Sequence, residues 1–136
     1  MNTTVKAVIE RANDGTYTVY CTDEIFSGAG ETLAAAKEDM LEQMAFYKDT
    51  ALRQGFKYPA FLDGEFSVEY QVDARSLIKY YTESGIFSLA GLQKVTGINQ
   101  KQLWSYLNGT KPRKAQEERI VSGFYALSQD LMAIFA

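Results

Sequence analysis

Residues 88–109 read SLAGLQKVTGINQKQLWSYLNG, and their punctuation organises the rest of the chain. Ser88 is placed to cap a first helix. Gly97 falls where the backbone must turn sharply, a conformation glycine enters at little cost. Ile98 follows as an apolar pin. Asn99 then opens a second helix, with Gln102 three residues on, the spacing at which side chains take up free N–H groups at a helix start. Gly109 ends that helix where a left-handed residue is favoured. Leu92, Val95, Ile98, Leu103, Tyr106 and Leu107 can share one core. That leaves Gln100, Lys101, Trp104 and Ser105 outside: an amide, a cation, an indole and a hydroxyl, groups suited to phosphates and base edges.

This stretch resembles the helix-turn-helix of the phage-repressor class, whose second helix lies in the DNA major groove. Two positions depart from that pattern. Gln93 stands where a small residue is usual, so its side chain must point outward or shift the helix angle, and Thr96 replaces an apolar residue. The resemblance implies DNA contacts from Asn99, Gln100, Lys101, Gln102, Trp104 and Ser105, with Gln100 suited to adenine and Lys101 to guanine or phosphate. Lys111, Arg113 and Lys114 follow in a basic loop that can grip the backbone. Trp104 fits equally a partly buried indole at a dimer contact.

Outward from this motif, bulk properties narrow the class. The chain has 136 residues, enough for one ordinary domain or two very small ones. With 46% hydrophobic and 23% charged residues it is expected to be a globular chain. It shows no apolar run of membrane-spanning length and no signal-peptide pattern, and Cys21 is its one cysteine, which together fit the cytoplasm. Histidine is absent, which excludes Cys–His zinc sites and Ser–His or Cys–His nucleophile pairs. No cofactor is expected. The net charge of −3 conceals a segregation: residues 1–75 carry 7 Lys+Arg against 13 Asp+Glu, and residues 76–136 carry 7 against 4. Such asymmetry suggests a basic partner for the first half and an anionic one for the second.

Along the first half, Val5, Ala7 and Ile9 alternate with Lys6 and Glu10, and Tyr17, Val19 and Cys21 alternate with polar neighbours. Asn13-Asp14-Gly15 joins these two strands as a hairpin. Ile25 to Gly28 is expected as a short third strand, ending in a Gly28-Ala29-Gly30 loop. A helix is expected from about Glu31 to Gln54, with Leu33, Ala36, Met40, Met44, Tyr47 and Ala51 along one face and Glu31 in its first turn. Gly55 stops it, 56–64 reads as a loop, and Phe66, Val68, Tyr70 and Val72 form a fourth strand. Asp73 caps the next helix, which puts a boundary between domains 1–72 and 73–136. The last helix begins near Lys114 or Ala115. Its stripe of Ile120, Phe124, Leu127, Leu131 and Ile134 is longer than a minimal core needs, which points to self-association.

The whole order resembles a HicB-type antitoxin of a type II toxin–antitoxin system. The residues that carry the likeness are Val8-Ile9-Glu10, the run from Asn13 to Val19, and the run from Gly30 to Glu38, followed by the C-terminal motif. The chain departs in having Asp23 to Gly28 in place of a Pro-Gly-Cys turn, and a longer connection from Arg53 to Gly64. The resemblance implies an α+β chain: a small antiparallel-rich sheet with one long packed helix (partial RNase H-like, β-β-β-α-β), then an all-α helix-turn-helix domain. It implies that the first domain binds and neutralises a small basic HicA-type mRNA-cleaving toxin. The second would repress the shared operon by binding operator DNA, as a homodimer or higher oligomer.

The alternative is a stand-alone transcription regulator whose first domain senses a ligand or only dimerises. A metal-dependent nuclease would need carboxylates converging on metal ions. Glu10, Asp14, Asp23 and Glu24 are available, yet their spacing fixes no common point, and no catalytic role is expected.

Overall fold

A computed structural model describes residues 3–136. The elements are β1 (Thr3–Arg11), β2 (Tyr17–Cys21), β3 (Ser27–Gly30), α1 (Leu33–Gln54), β4 (Phe66–Val72), α2 (Ala74–Glu83), α3 (Leu89–Thr96), α4 (Gln100–Leu107) and α5 (Lys114–Phe135), with a short 3-10 turn at Ala60–Asp63. The chain is α+β and divides into two compact units at Val72/Asp73. The first carries 6 Lys+Arg against 12 Asp+Glu, the second 8 against 5.

In the first unit the sheet order is β3-β2-β1-β4. The alternation of β1 buries Val5, Ala7 and Ile9 on one face. Asp14 closes the β1–β2 hairpin by accepting from the Thr16 hydroxyl at 2.7 Å and N–H at 2.9 Å, which holds its carboxyl below the ordinary value. β2 pairs antiparallel with β1 and β3, whereas β4 runs parallel to β1, with Val5 opposite Val68. A parallel neighbour requires a crossover, and α1 supplies it. Ala36, Met40 and Met44 pack on Val5, Ala7, Ile9, Val19, Cys21 and Phe26 as one core.

Three expectations need correction. The glycines at 28 and 30 belong to β3, not to a loop after it. A side chain at Gly28 would collide with Ala36 O and Met40 N of α1, so glycine is what lets the strand lie directly on the helix. The helix also starts later than expected: Thr32 is its N-cap, accepting from the Ala35 N–H at 3.1 Å, and Glu31 therefore lies before the first turn. The 56–64 connection is not wholly irregular. Its 3-10 turn is pinned by Lys48, which pairs with Asp63 at 3.1 Å and donates to Leu62 O, while the Tyr58 hydroxyl donates to Asp63 at 2.7 Å.

The second unit is all-helical. Ala74, Ile78, Leu92, Ile98, Leu103, Tyr106 and Ile120 form its core, with Phe87, Leu89, Leu107 and Phe124 packed against it. The rings of Tyr81, Phe87 and Phe124 meet at 5.4–5.9 Å. Leu127 is still half-buried, but past it every residue of α5 is exposed, and with Tyr125 the side chains of Leu131, Met132, Ile134 and Phe135 stand in water. Among the described residues no helix is long and apolar enough to cross a membrane.

Candidate functional site

The second unit presents a pair of helices whose junction is built almost wholly from side-chain caps. Ser88 Oγ accepts from the Gly91 N–H at 3.0 Å and starts α3. Gly97 ends it at φ 72°, inside the left-handed region. Thr96 is buried, and its hydroxyl is satisfied twice: it donates to Leu92 O at 2.8 Å and accepts from the Ile98 N–H at 3.2 Å. Asn99 Oδ1 accepts from the Gln102 N–H at 2.8 Å and starts α4. The helix ends at Leu107 with Asn108 as its cap, and Gly109 turns the chain away at φ 112°.

Gln93 takes the outward course. Its Oε1 accepts from the Gln100 N–H at 3.1 Å, so the long side chain on α3 caps the start of α4. Arg119 of α5 donates to Gly97 O at 2.7 Å and locks the turn from the other side. Arg75 of α2 donates to Tyr106 O at 2.7 Å and holds the last turn of α4. These two arginines are structural, and sequence reading assigned them no role because their partners lie 22 and 31 residues away.

The expected contact residues separate once placed on this frame. Lys101, Trp104 and Ser105 stand three and four residues apart, so one face of α4 carries them. Lys101 is exposed, Trp104 is 57% exposed, and Ser105 is half-buried with its hydroxyl donated to Gln102 O at 2.7 Å. Gln100 flanks that face with its backbone N–H already engaged. Gln102 projects from a different side of the exposed surface, about 100° from Lys101. Asn99 is exposed but committed as a cap. Asn108, exposed beside Trp104 and donating to its carbonyl at 2.9 Å, extends the face and was missed from sequence. The signal was its position seven residues after Lys101, two helical turns along one side.

Lys111, Arg113 and Lys114 are all exposed, and the Pro112 between them is buried, which anchors the loop while its cations face outward. Arg113 is the N-cap residue of α5 and Lys114 its first residue. A helix start favours negative charge. Two cations there work against α5, so helix stability does not account for them.

In the first unit, Glu10 accepts from the Tyr20 hydroxyl at 3.2 Å and Asp14 is held in its turn. Among the described residues no group of three or more His, Cys, Asp or Glu could hold a metal ion. Cys21 is buried with its thiol 3.9 Å from the Met40 sulfur, and burial pushes its pKa up. No protein-family description, curated protein or solved structure matches the chain.

Proposed function

We propose that this chain is an antitoxin and autorepressor. Its second unit binds operator DNA through α4, and its first unit binds and neutralises a small basic, RNA-cleaving toxin of the HicA type. The observation that carries the reading is the outward face of α4. Lys101, Trp104 and Ser105 project from a helix fixed at both ends by caps and arginine ties, beside the exposed cations Lys111, Arg113 and Lys114. A rigid helix presenting mixed hydrogen-bonding groups suits a groove, and cations placed against a helix dipole suit phosphate.

The strand-strand-strand-helix-strand order supports a partial RNase H-like first unit, and α2–α5 support a helix-turn-helix second unit. The charge partition supports a basic partner for one and an anionic partner for the other. The uncovered end of α5 supports pairing with a second copy. Side chains of this size, exposed as these five are, offer on the order of 700 Å² per copy, close to the ~800 Å² a standard interface takes from each partner.

The test has two arms. The full chain is titrated onto DNA taken from upstream of its own reading frame, and a Gln100→Ala, Lys101→Ala double variant is compared. The tagged chain is also recovered from its native cell at moderate salt and its partners are identified by mass spectrometry. The reading expects a site-specific complex weakened by the double variant and a stoichiometric small basic partner. Unchanged DNA binding by the double variant removes α4 as the reading helix. Specific DNA binding without any toxic basic partner selects the stand-alone regulator.

A further inference from the structure

Along the β3 edge of the first unit, Ile25 is 73% exposed and Phe46 is 64% exposed, and the two line one cleft of about 480 Å³ with Asp39 and Gln43. The cleft floor is rigid. Phe26 beneath it is buried and meets the rings of Tyr47 at 5.5 Å and Phe61 at 6.1 Å edge-on. Two large apolar side chains held over a rigid floor and left in water are the pattern of an anchor site rather than of scattered surface residues.

The edge strand is closed to one class of partner. β3 is the outer strand of the sheet, and its outward Ala29 N–H donates to Asp39 Oδ2 at 2.9 Å. An added strand would have to displace that carboxylate, so docking here proceeds through side chains. The local charge then selects the partner. Residues 18–47 hold six acids, Asp23, Glu24, Glu31, Glu38, Asp39 and Glu42, against the single cation Lys37. Lys37 lies over the Tyr70 ring at 4.3 Å, on β4 at the opposite edge of the sheet. The lining of the apolar cleft therefore carries one carboxylate, Asp39, and no cation, with further acids on the adjoining segments, a balance that attracts cations and repels a second copy of the same surface.

We propose that this cleft docks a basic protein surface that inserts an apolar side chain between Ile25 and Phe46 while its flanking lysines or arginines meet Asp39 and the surrounding acids. The inference rests on the toxin-binding reading of the first unit and specifies its docking surface.

The test uses the ¹⁵N-labelled full chain and a defined probe, a short capped lysine-rich peptide with one central leucine, against an analogue with glutamate in place of lysine. The lysine peptide is expected to shift the amides of Ser27, Ala29 and Phe46. The glutamate analogue should leave them unmoved. Phe46→Asp, at an exposed position, should weaken binding about tenfold or more, as loss of an anchor does. Leu52→Asp, on the other flank of α1, should leave binding unchanged with the same fold. Equal binding by both peptides, shifts centred elsewhere, or no shifts at all would overturn the inference. So would concentration-dependent shifts at Ile25 and Phe46 without peptide, which would assign the cleft to a second copy. None of these results touches operator binding or recovery of a basic partner, so failure here is distinct from failure of the function.

Discussion

Gly123 sits in the interior of α5, where helix propensity alone argues for alanine. That exchange should gain about 1 kcal/mol in an unconstrained helix. The structure argues the opposite sign. A Cβ at 123 would overlap Val95 O and stand 2.9 Å from Val95 C and 3.0 Å from Thr96 Cα, all backbone atoms at the end of α3. No rotamer change relieves a clash with backbone, so α5 would have to withdraw and loosen Ile120 and Phe124 from the core. Overpacking of this kind costs about 3 kcal/mol, which leaves a net loss of about 2 kcal/mol after the propensity gain. Trp104 is the chain's single tryptophan and lies in the same unit, so its fluorescence in a urea titration reports this unit alone. With a slope near 1 kcal/mol per molar for a unit this small, the midpoint of Gly123→Ala should fall by about 2 M. Gly91 in α3 is the control, because a Cβ there meets Ser88 Oγ at an ordinary 3.4 Å and Gly91→Ala should raise the midpoint. An unchanged or raised midpoint for Gly123→Ala would refute the close approach of α5 to α3.

Gln93→Ala removes the cap on the Gln100 N–H. It should cost roughly 0.5–1 kcal/mol in the same titration and lower operator affinity without changing the salt dependence. The Cys21 thiol, its pKa raised by burial, should resist alkylation at pH 8 until the sheet unfolds, with the rate tracking urea unfolding. Its contribution to stability is complete below the ordinary thiol pKa and is lost as pH rises through the raised folded value. Asp63 is lowered first by the Tyr58 hydroxyl and then by Lys48, and Tyr58 is raised by the same bond. The pin on the 3-10 turn should therefore weaken as pH falls through the lowered Asp63 value, and again as pH rises above about 10 through that of Tyr58. In Tyr58→Phe the carboxyl resonance of Asp63 should titrate at a higher pH than in the native chain.

Elements whose cause is local were legible in the sequence. β1, β2 and β4 follow from alternation, α1 from its stripe, and the starts of α2, α3 and α4 from Asp73, Ser88 and Asn99, each a side chain accepting the N–H three residues on. What failed depends on neighbours distant in sequence. Gly28 and Gly30 look like a loop until α1 is laid on them, because glycine signals both a turn and a close approach. Alternation shows that β4 is a strand but not that it runs parallel beside β1. The start of α1 is the local exception: Glu31 offers the broad signal of an acid near a helix start, whereas the cap is the neighbouring Thr32. For the site, the outward residues of α4 were readable from spacing. The use of Gln93 was not, since it needs α3 and α4 at a fixed angle.

Salt dependence can read the stoichiometry on DNA as well as the contacts. Lys101, Lys111, Arg113 and Lys114 are four exposed cations on one unit. If all four meet phosphates, the logarithm of the binding constant should fall with that of salt with a slope of about −3.6 for one copy and about −7 for two. The pairing surface assigned to α5 separates these cases. Leu131→Asp with Ile134→Asp changes side chains that are 47% and 70% exposed, so the unit should still fold. Charges on that face should oppose pairing and halve the slope, while each single copy keeps its cations. Lys111→Ala acts differently: it should reduce the slope by about 0.9 per copy and leave pairing intact. A native slope near −7 that the α5 double variant does not alter would show that two copies are brought together by something other than α5. A native slope near −3.6, with sedimentation showing one copy on DNA, would leave the apolar end of α5 without its assigned partner.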